Sequence, residues 1–391
     1  MMKMTRRERI MAASPGQRAD KLPFFHWWRH SQTGWAEREC RNRGMGMCWE
    51  RSPYVERLHD VTVTEQGAEV DGRPVIRRTF TTPIGSVYED EVREPGTFQW
   101  HGNRSWMDIT PWLITRRIKE PEDYAVVKYI VEHTEYVADY FPIEQAMDWL
   151  GDEGLVVDNL PHSPVQMLMI NWVGSDGGRC FFHMADYPEL WDDLYHAISK
   201  SREPLYEIAA KSPAPITWWG DNIDGQLVSP KIFEKYCMPE YVKQTRLLHP
   251  AGKKLAVHMD GRIACLKDLI AKTPIDIIEA FHPLPMGDLR LDEALAAWPD
   301  KIIWLGYPGG VYELGPSATV ELAISLLREA GTGERLAIAM STENLVSNEN
   351  LIALTSVLEN ASLPLNPALI DRIAEEMLPG RMGLSRSGEG H

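Results

Sequence analysis

The chain has 391 residues, 44% of them hydrophobic, and a formal net charge of -15 at pH 7. That length and apolar fraction support a large core with room for a smaller subdomain, and the 29 Gly and 27 Pro follow no collagen period. An acidic chain with no basic stripe and no zinc-finger spacing is a poor partner for nucleic acid.

Five cysteines, Cys40, Cys48, Cys180, Cys237 and Cys265, are scattered with no CxxC pair, which is not a disulfide framework. Met45, Met47 and Cys48 suggest either a soft-metal site or flexible packing, the second being the more economical reading. No run reaches the roughly eighteen apolar residues of a membrane span. The basic start M-M-K-M-T-R-R-E-R-I leads into no apolar signal core. The expectation is a cytoplasmic protein without membrane contact.

Residues 23–59 are rich in aromatics: Phe24, Phe25, Trp27, Trp28, Trp35, Trp49 and Tyr54. Residues 61–110 alternate β-branched and polar types, and D-G at 71–72 signals a hairpin. Residues 61–110 are too short and polar to hold a strong core alone, and with the aromatic stretch before them 1–110 read as an N-terminal elaboration. Its aromatics either line a homodimer interface or cover a larger domain at 111–379, and 380–391 reads as a flexible tail. From Pro121 the period becomes helical, with Tyr124, Val127, Ile130, Val131 and Val137 on one face. G-L-V-V-D-N is a strand ending at Asp158–Asn159. Helices are expected near 163–173, 187–211, 230–249, 262–272, 317–330 and 343–358. The third of these has Ser229 as cap and Pro230 at its first position. Strands are expected at 214–218, 254–258, 275–280, 301–305 and 336–340. Such alternation is parallel α/β, satisfied by a (β/α)8 TIM barrel or a doubly wound sheet. Neither GxGxxG nor a P-loop ending is present.

Polar groups at the carboxyl ends of these strands are the site candidates. His258 and Asp260, two apart on an extended strand, point the same way. They suit zinc through nitrogen and oxygen, proton transfer with Asp260 orienting His258, or a structural polar pair. Glu279 and His282 follow the apolar I-D-I-I and are further metal candidates. Asp221 and Asn222 follow Trp218 and Trp219. This is a setting for reading a polar aromatic ligand, with Asp221 as a proton acceptor, or an Asx turn beside packed rings. Asp158, with His162 soon after, is a second candidate base or a structural carboxylate. Tyr307 in G-Y-P-G-G and Glu343 in S-T-E-N complete the substrate-binding candidates, although Ser341 or Thr342 also reads as a helix cap.

The ordered pieces W-W-G-D-N-I-D-G-Q-L-V-S-P-K-I-F, H-M-D-G, G-D-L at 287–289, W-L-G-Y-P-G-G and S-T-E-N resemble the uroporphyrinogen decarboxylase superfamily over roughly residues 110–360. The resemblance implies a (β/α)8 barrel with its ligand at the strand carboxyl ends. The decarboxylases' N-terminal M-R-Q-A-G-R signature is replaced here by F-F-H-W-W-R-H-S-Q-T-G, in which Arg29 remains. In the thiol-directed methyltransferases of that superfamily, zinc is held by H-x-C and a later Cys. Here His258 keeps the His position, Asp260 replaces the first Cys, and Ser341 falls near the second. The resemblance therefore implies a zinc-dependent methyltransferase with harder ligands, moving a methyl group from a small methoxylated compound, aromatic ones included, to a separate corrinoid-binding protein. This chain has no D-x-H-x-x-G corrinoid sequence of its own. The alternatives are a uroporphyrinogen-decarboxylase-like decarboxylase and a non-catalytic tetrapyrrole- or metabolite-binding barrel.

Overall fold

The computed structural model describes residues 4–13, 16, 18–31, 33–92, 112–342 and 346–378. Strands β1 (Phe24–Trp27) and β2 (Gly46–Arg51) come first. The chain then runs through β3 (Tyr54–Leu58), β4 (Thr62–Val70), β5 (Arg73–Thr82), β6 (Gly85–Val92), β7 (Leu113–Thr115), a helix at Asp123–Glu132 and β8 (Thr134–Ala138). After a helix at Phe141–Leu150 come β9 (Gly154–Leu160), β10 (Ile216–Trp219), β11 (Lys254–His258), β12 (Ile277–Phe281), β13 (Ile302–Gly306) and β14 (Leu336–Ala339), with helices between them. Strands β1, β14, β13, β12, β11, β10, β9 and β2 close into a barrel in that order, and β1 pairs β2 in parallel to complete the ring. The (β/α)8 expectation holds.

Barrel strands are buried on both faces, which is why they read as short continuous apolar runs such as I-I-W-L-G, buried at every residue. Their alternation still sorts side chains. Phe25, Trp27, Cys48, Val157, Trp218, Ala256, Ile277, Trp304, Ala337 and Ala339 belong to one cluster filling the barrel. Intervening residues such as Phe24, Val156, Trp219, Val257, Ile278 and Leu305 pack with the helices. Large Trp27, Trp218 and Trp304 share the interior with small Ala256, Ala337 and Ala339, so the barrel is a packed core rather than a pore. Trp27 lies 5.5 Å from Trp218 and 6.2 Å from Trp304 between ring centroids.

The boundary expected at residue 110 is corrected. F-F-H-W and G-M-C-W-E-R, read as part of an elaboration, supply two of the barrel strands. Both are too short and too aromatic to show a period. The elaboration is instead an insertion between β2 and the Phe141–Leu150 helix, leaving the barrel at its carboxyl face. It contains a four-stranded antiparallel sheet, β4-β5-β6-β7, and a β3-β8 ribbon. Asp71 and Gly72 have φ of 50° and 75°, the left-handed pair that a two-residue D-G hairpin requires. Val137, expected on a helix, pairs with Val55, and the helix stops at Glu132. The β-prone T-E-Y-V wins by strand pairing, with Tyr54 and Tyr136 5.4 Å apart across the ribbon.

Ser229 caps the next helix as expected, accepting from Ile232 N. The helix after β14 begins at Asn348 with Ser347 as its cap, so Ser341 and Thr342 do not start it. The tail at 380–391 lies outside the described residues. Among the described residues no helix is long and apolar enough to cross a membrane.

Candidate active site at the carboxyl ends of the strands

His258 and Glu279 are in register on β11 and β12. A bulge follows Glu279, where the ladder to β13 skips one residue and Ala280 takes φ 55°. Bulges re-aim side chains beside sites, and this one ends the strand just after the carboxylate. Glu279 is 2% exposed and accepts three N–H bonds. His258 Nδ1 donates to Oε2 over 2.6 Å, Trp218 Nε1 to the same oxygen over 2.9 Å, and Trp27 Nε1 to Oε1 over 3.2 Å. On the other side of the imidazole, Asp260 Oδ2 lies 3.4 Å from Nε2. Burial alone would drive His258 neutral, but the Glu279 and Asp260 carboxylates outweigh it and push its pKa up to about 10. Burial likewise opposes the charge on Glu279 and Asp260, yet His258 holds both below the usual carboxylate range. The result is an imidazolium between two carboxylates, next to indole rings.

A second ion pair lies beside this one, between Arg29, noted in the sequence only as what remains of the decarboxylase signature, and Glu50, which no motif marked. The Arg29 guanidinium sits 5.2 Å over the Trp218 ring and 5.9 Å from that of Trp27. Its Nε is 3.4 Å from Glu50 Oε1. Burial pushes the Glu50 carboxyl up, against the pull of Arg29, and its Oε2 is buried without a partner. The missed signal was parity: Cys48 faces the interior, so Glu50, two residues on, does as well. Ser341 Oγ accepts from Trp27 N over 2.6 Å and lies 3.1 Å from His26 Nδ1. Burial lowers His26 to about 4.

The other candidates divide sharply. His282 lies across the end of β13, where a Cβ built on Gly306 would stand 2.7 Å from its Nε2. Its Nδ1 is buried without a partner, and burial lowers its pKa. Asn222 is exposed and shares an open polar cleft of about 490 Å³ with Asp260, Asp224 and Arg262. Asp221 is fully buried. It accepts from Ser163 N over 2.6 Å, feels His162 electrostatically and leaves Oδ2 without a partner. It makes no bond to the His258 group. Asp158 turns into the helix layer: Lys253 Nζ donates to it over 2.8 Å, Thr217 over 3.2 Å and Ser212 over 2.5 Å. That is a buried structural ion pair, not a base at the mouth. Trp219 packs between Tyr206 and Tyr241. Tyr307 is fully buried, donates to Thr319 O and lies tilted against Tyr312, with ring centroids 5.2 Å apart. Neither reaches the mouth, because each sits on the outward parity of its strand. Glu343 lies outside the described residues.

The expected zinc set of His258, Asp260, Glu279 and His282 does not fit as folded. Both Glu279 oxygens are engaged by N–H donors, and both ring nitrogens of His258 face carboxylates. Among the described residues no three His, Cys, Asp or Glu side chains form a ligand group. His258 Nε2 and Asp260 are two donors on one side, with Glu279 behind Nδ1 in the position of a carboxylate that orients a ligating imidazole. A catalytic zinc ordinarily has three protein ligands.

Fold and site together define a (β/α)8 barrel with a charged, tryptophan-walled group at the face where such barrels carry their active sites. No protein-family profile matches the chain, and no curated protein matches it in sequence. Among solved structures it is similar to a methyltransferase from Methanosarcina mazei, with 13% identity and a TM-score of 0.50 over 94% of this chain and 99% of that one. It is also similar to a GH5-4 broad specificity endoglucanase from an uncultured bacterium, with 11% identity and a TM-score of 0.37 over 67% and 86% of the two chains. At such identities the first likeness establishes the fold.

Proposed function

We propose that the protein is a methyltransferase that takes the methyl group of a small methoxylated aromatic compound and passes it to a separate corrinoid-binding protein. The observation that carries this reading is the charged His258, held between Asp260 and Glu279 beside Trp27 and Trp218. Cleaving an aryl methyl ether breaks the bond between the methyl carbon and oxygen, and the electron pair stays on the oxygen. That oxygen takes the Nε2 proton of His258, which solvent then replaces. A phenol titrates at about 10, and His258 is pushed up to about 10, so the transfer is nearly balanced. An aliphatic alkoxide is a far stronger base and a worse match. The corrinoid on the partner protein supplies the nucleophile. The barrel's likeness to a protein described as a methyltransferase is consistent with this reading.

Zinc belongs to a second form of the reading, favoured by Glu279 standing behind Nδ1. In that form His258 Nε2 and Asp260 would hold the metal, which would supply Lewis-acid stabilisation of the leaving oxygen, and a third ligand would have to be brought in by a rearrangement of the group as folded. Metal analysis of protein purified without added metal separates the two forms. The decarboxylase alternative is weaker, because Glu50, Asp260 and Glu279 outnumber Arg29 and His258 in this group, a poor reception for a polycarboxylate.

The test uses free reduced cobalamin as the methyl acceptor and methoxyphenols as donors, following release of the demethylated phenol. The wild-type chain is expected to turn over, and His258→Gln to lose about 10²-fold or more. Equal rates in both proteins, or binding of methoxyphenols without any turnover, reject the mechanism; the second outcome leaves the metabolite-binding barrel.

A further inference from the structure

We propose that a cavity between the antiparallel insertion and the barrel's helix layer binds a small aromatic or branched-chain carboxylate, with Arg202 holding the carboxyl group. This is a site apart from the strand-end group, and it does not depend on the methyl-transfer reading.

The cavity has a volume of about 310 Å³, at the lower end of small-molecule sites. Phe80, Trp172, Ile130, Val131 and Ile198 give it apolar walls, and Arg202 lines it too. Arg202 is only 2% exposed. Its Nη1 donates to the His162 carbonyl and its guanidinium also meets the Tyr136 side chain, while its Nε is buried with no partner. Asp221 feels its charge, but no carboxylate is ion-paired to it among the described residues. A buried cation without a paired anion is costly, and a guanidinium fits a carboxylate in two parallel bonds.

The other charges at the cavity do not satisfy Arg202. Glu89 is buried and already serves two guanidiniums: Arg117 donates over 2.6 and 3.2 Å, and Arg78 over 3.2 Å. Arg78 also reaches Glu65 over 2.7 Å. Glu56, which also lines the cavity, is exposed to water. Three carboxylates, Glu56, Glu89 and Glu91, and three guanidiniums line the cavity, yet among the described residues none of those carboxylates is ion-paired to Arg202. The walls set the rest of the ligand: Arg117 lies 4.0 Å over the Phe80 ring and 5.7 Å from that of Trp172, fixing flat apolar surfaces. A highly charged phosphate would desolvate against those walls for no return, whereas a carboxylate on an apolar body matches both ends. Arg202 bonds the His162 carbonyl, and the His162 ring bonds Asn171, another residue of the cavity, so occupancy is felt at the loop after β9.

The test is calorimetric titration of the full chain with benzoate, and with benzylamine as the cationic control of the same shape. Saturable benzoate binding without benzylamine binding is expected. Arg202→Met should weaken benzoate roughly tenfold or more, the usual effect of losing a charge-assisted bond. Val131→Phe, which fills the cavity and leaves every charge in place, should weaken it comparably. Circular dichroism and melting check that each variant folds, and Val131→Phe decides alone if Arg202→Met does not. The proposal is overturned if wild-type protein shows no saturable benzoate binding, or if benzylamine binds equally. Benzoate affinity unchanged in a folded variant overturns it too, as does loss in Arg29→Gln with retention in Arg202→Met, which would put the anion beside the tryptophans.

Discussion

Glu279→Gln tests the strand-end electrostatics directly. The substitution keeps the side chain's size and removes one charge. In the wild type Glu279 accepts from His258, Trp218 and Trp27; a carboxamide must turn an NH2 toward one of those donors. His258 would keep only Asp260, at 3.4 Å and half exposed to water. Burial then prevails, and the imidazole should fall from about 10 to its ordinary 6.5 or lower. At about 1.4 kcal/mol per tenfold change in proton affinity, that fall corresponds to about 4–5 kcal/mol, in line with the 3–5 kcal/mol of breaking a buried ion pair. The sign follows from the raised folded pKa. The stabilisation that His258 contributes is complete below about 6.5, declines as pH rises, and is gone above about 10. Wild-type melting temperature should therefore drop between pH 7 and 10 more steeply than that of Glu279→Gln, which starts lower. The direct assay is a ¹³C-histidine NMR titration. His258 is identified among the 12 histidines by comparison with His258→Gln. A wild-type His258 titrating near 6.5, or one still near 10 in Glu279→Gln, refutes the reasoning.

Three further substitutions test the frame around the site. Asp158→Asn leaves Lys253 buried and unpaired and should cost about 3–5 kcal/mol in urea unfolding, whereas Asp158→Asn with Lys253→Met should recover much of the loss; a harmless single change would mean the pair is not buried in solution. Ala280→Gly relieves a left-handed residue at φ 55° and should raise stability by about 0.5–1 kcal/mol; a loss would show that the bulge after Glu279 is not formed. Gly306→Ala places a Cβ 2.7 Å from His282 Nε2 and should cost about 1–3 kcal/mol while moving the His282 ring resonances; unchanged resonances would place that ring elsewhere.

The barrel was legible where strands and helices alternate at helical spacing, and β11 falls at 254–258 as expected. It was not legible at β1 and β2, where four to six residues carry barrel strands with no recognisable period. The insertion hid them further, because its clear β alternation drew the whole N-terminal third into one reading. The T-E-Y-V strand was missed for a related reason: its partner β3 lies about eighty residues away, and long-range pairing leaves no local mark.

The site residues were legible by strand end but not by parity, and parity is what sorted them. Val157, Trp218 and Trp304 face the barrel interior. Asp158 and Trp219, one residue on, must then face the helices, and Tyr307, three residues after Trp304, follows the same parity. All three are found in the outer packing layer. The same count from Ala256, Ile277 and Cys48 turns His258, Glu279 and Glu50 inward. Glu279 and His258 are named for their chemistry, while Glu50 is passed over for lack of a motif and its partner Arg29 is noted only as the remnant of a signature. A strand end selects an active face, but it offers two directions at every step. In a barrel the choice between them is set by which neighbour two residues back fills the interior, and that depends on ring closure, which no single strand encodes.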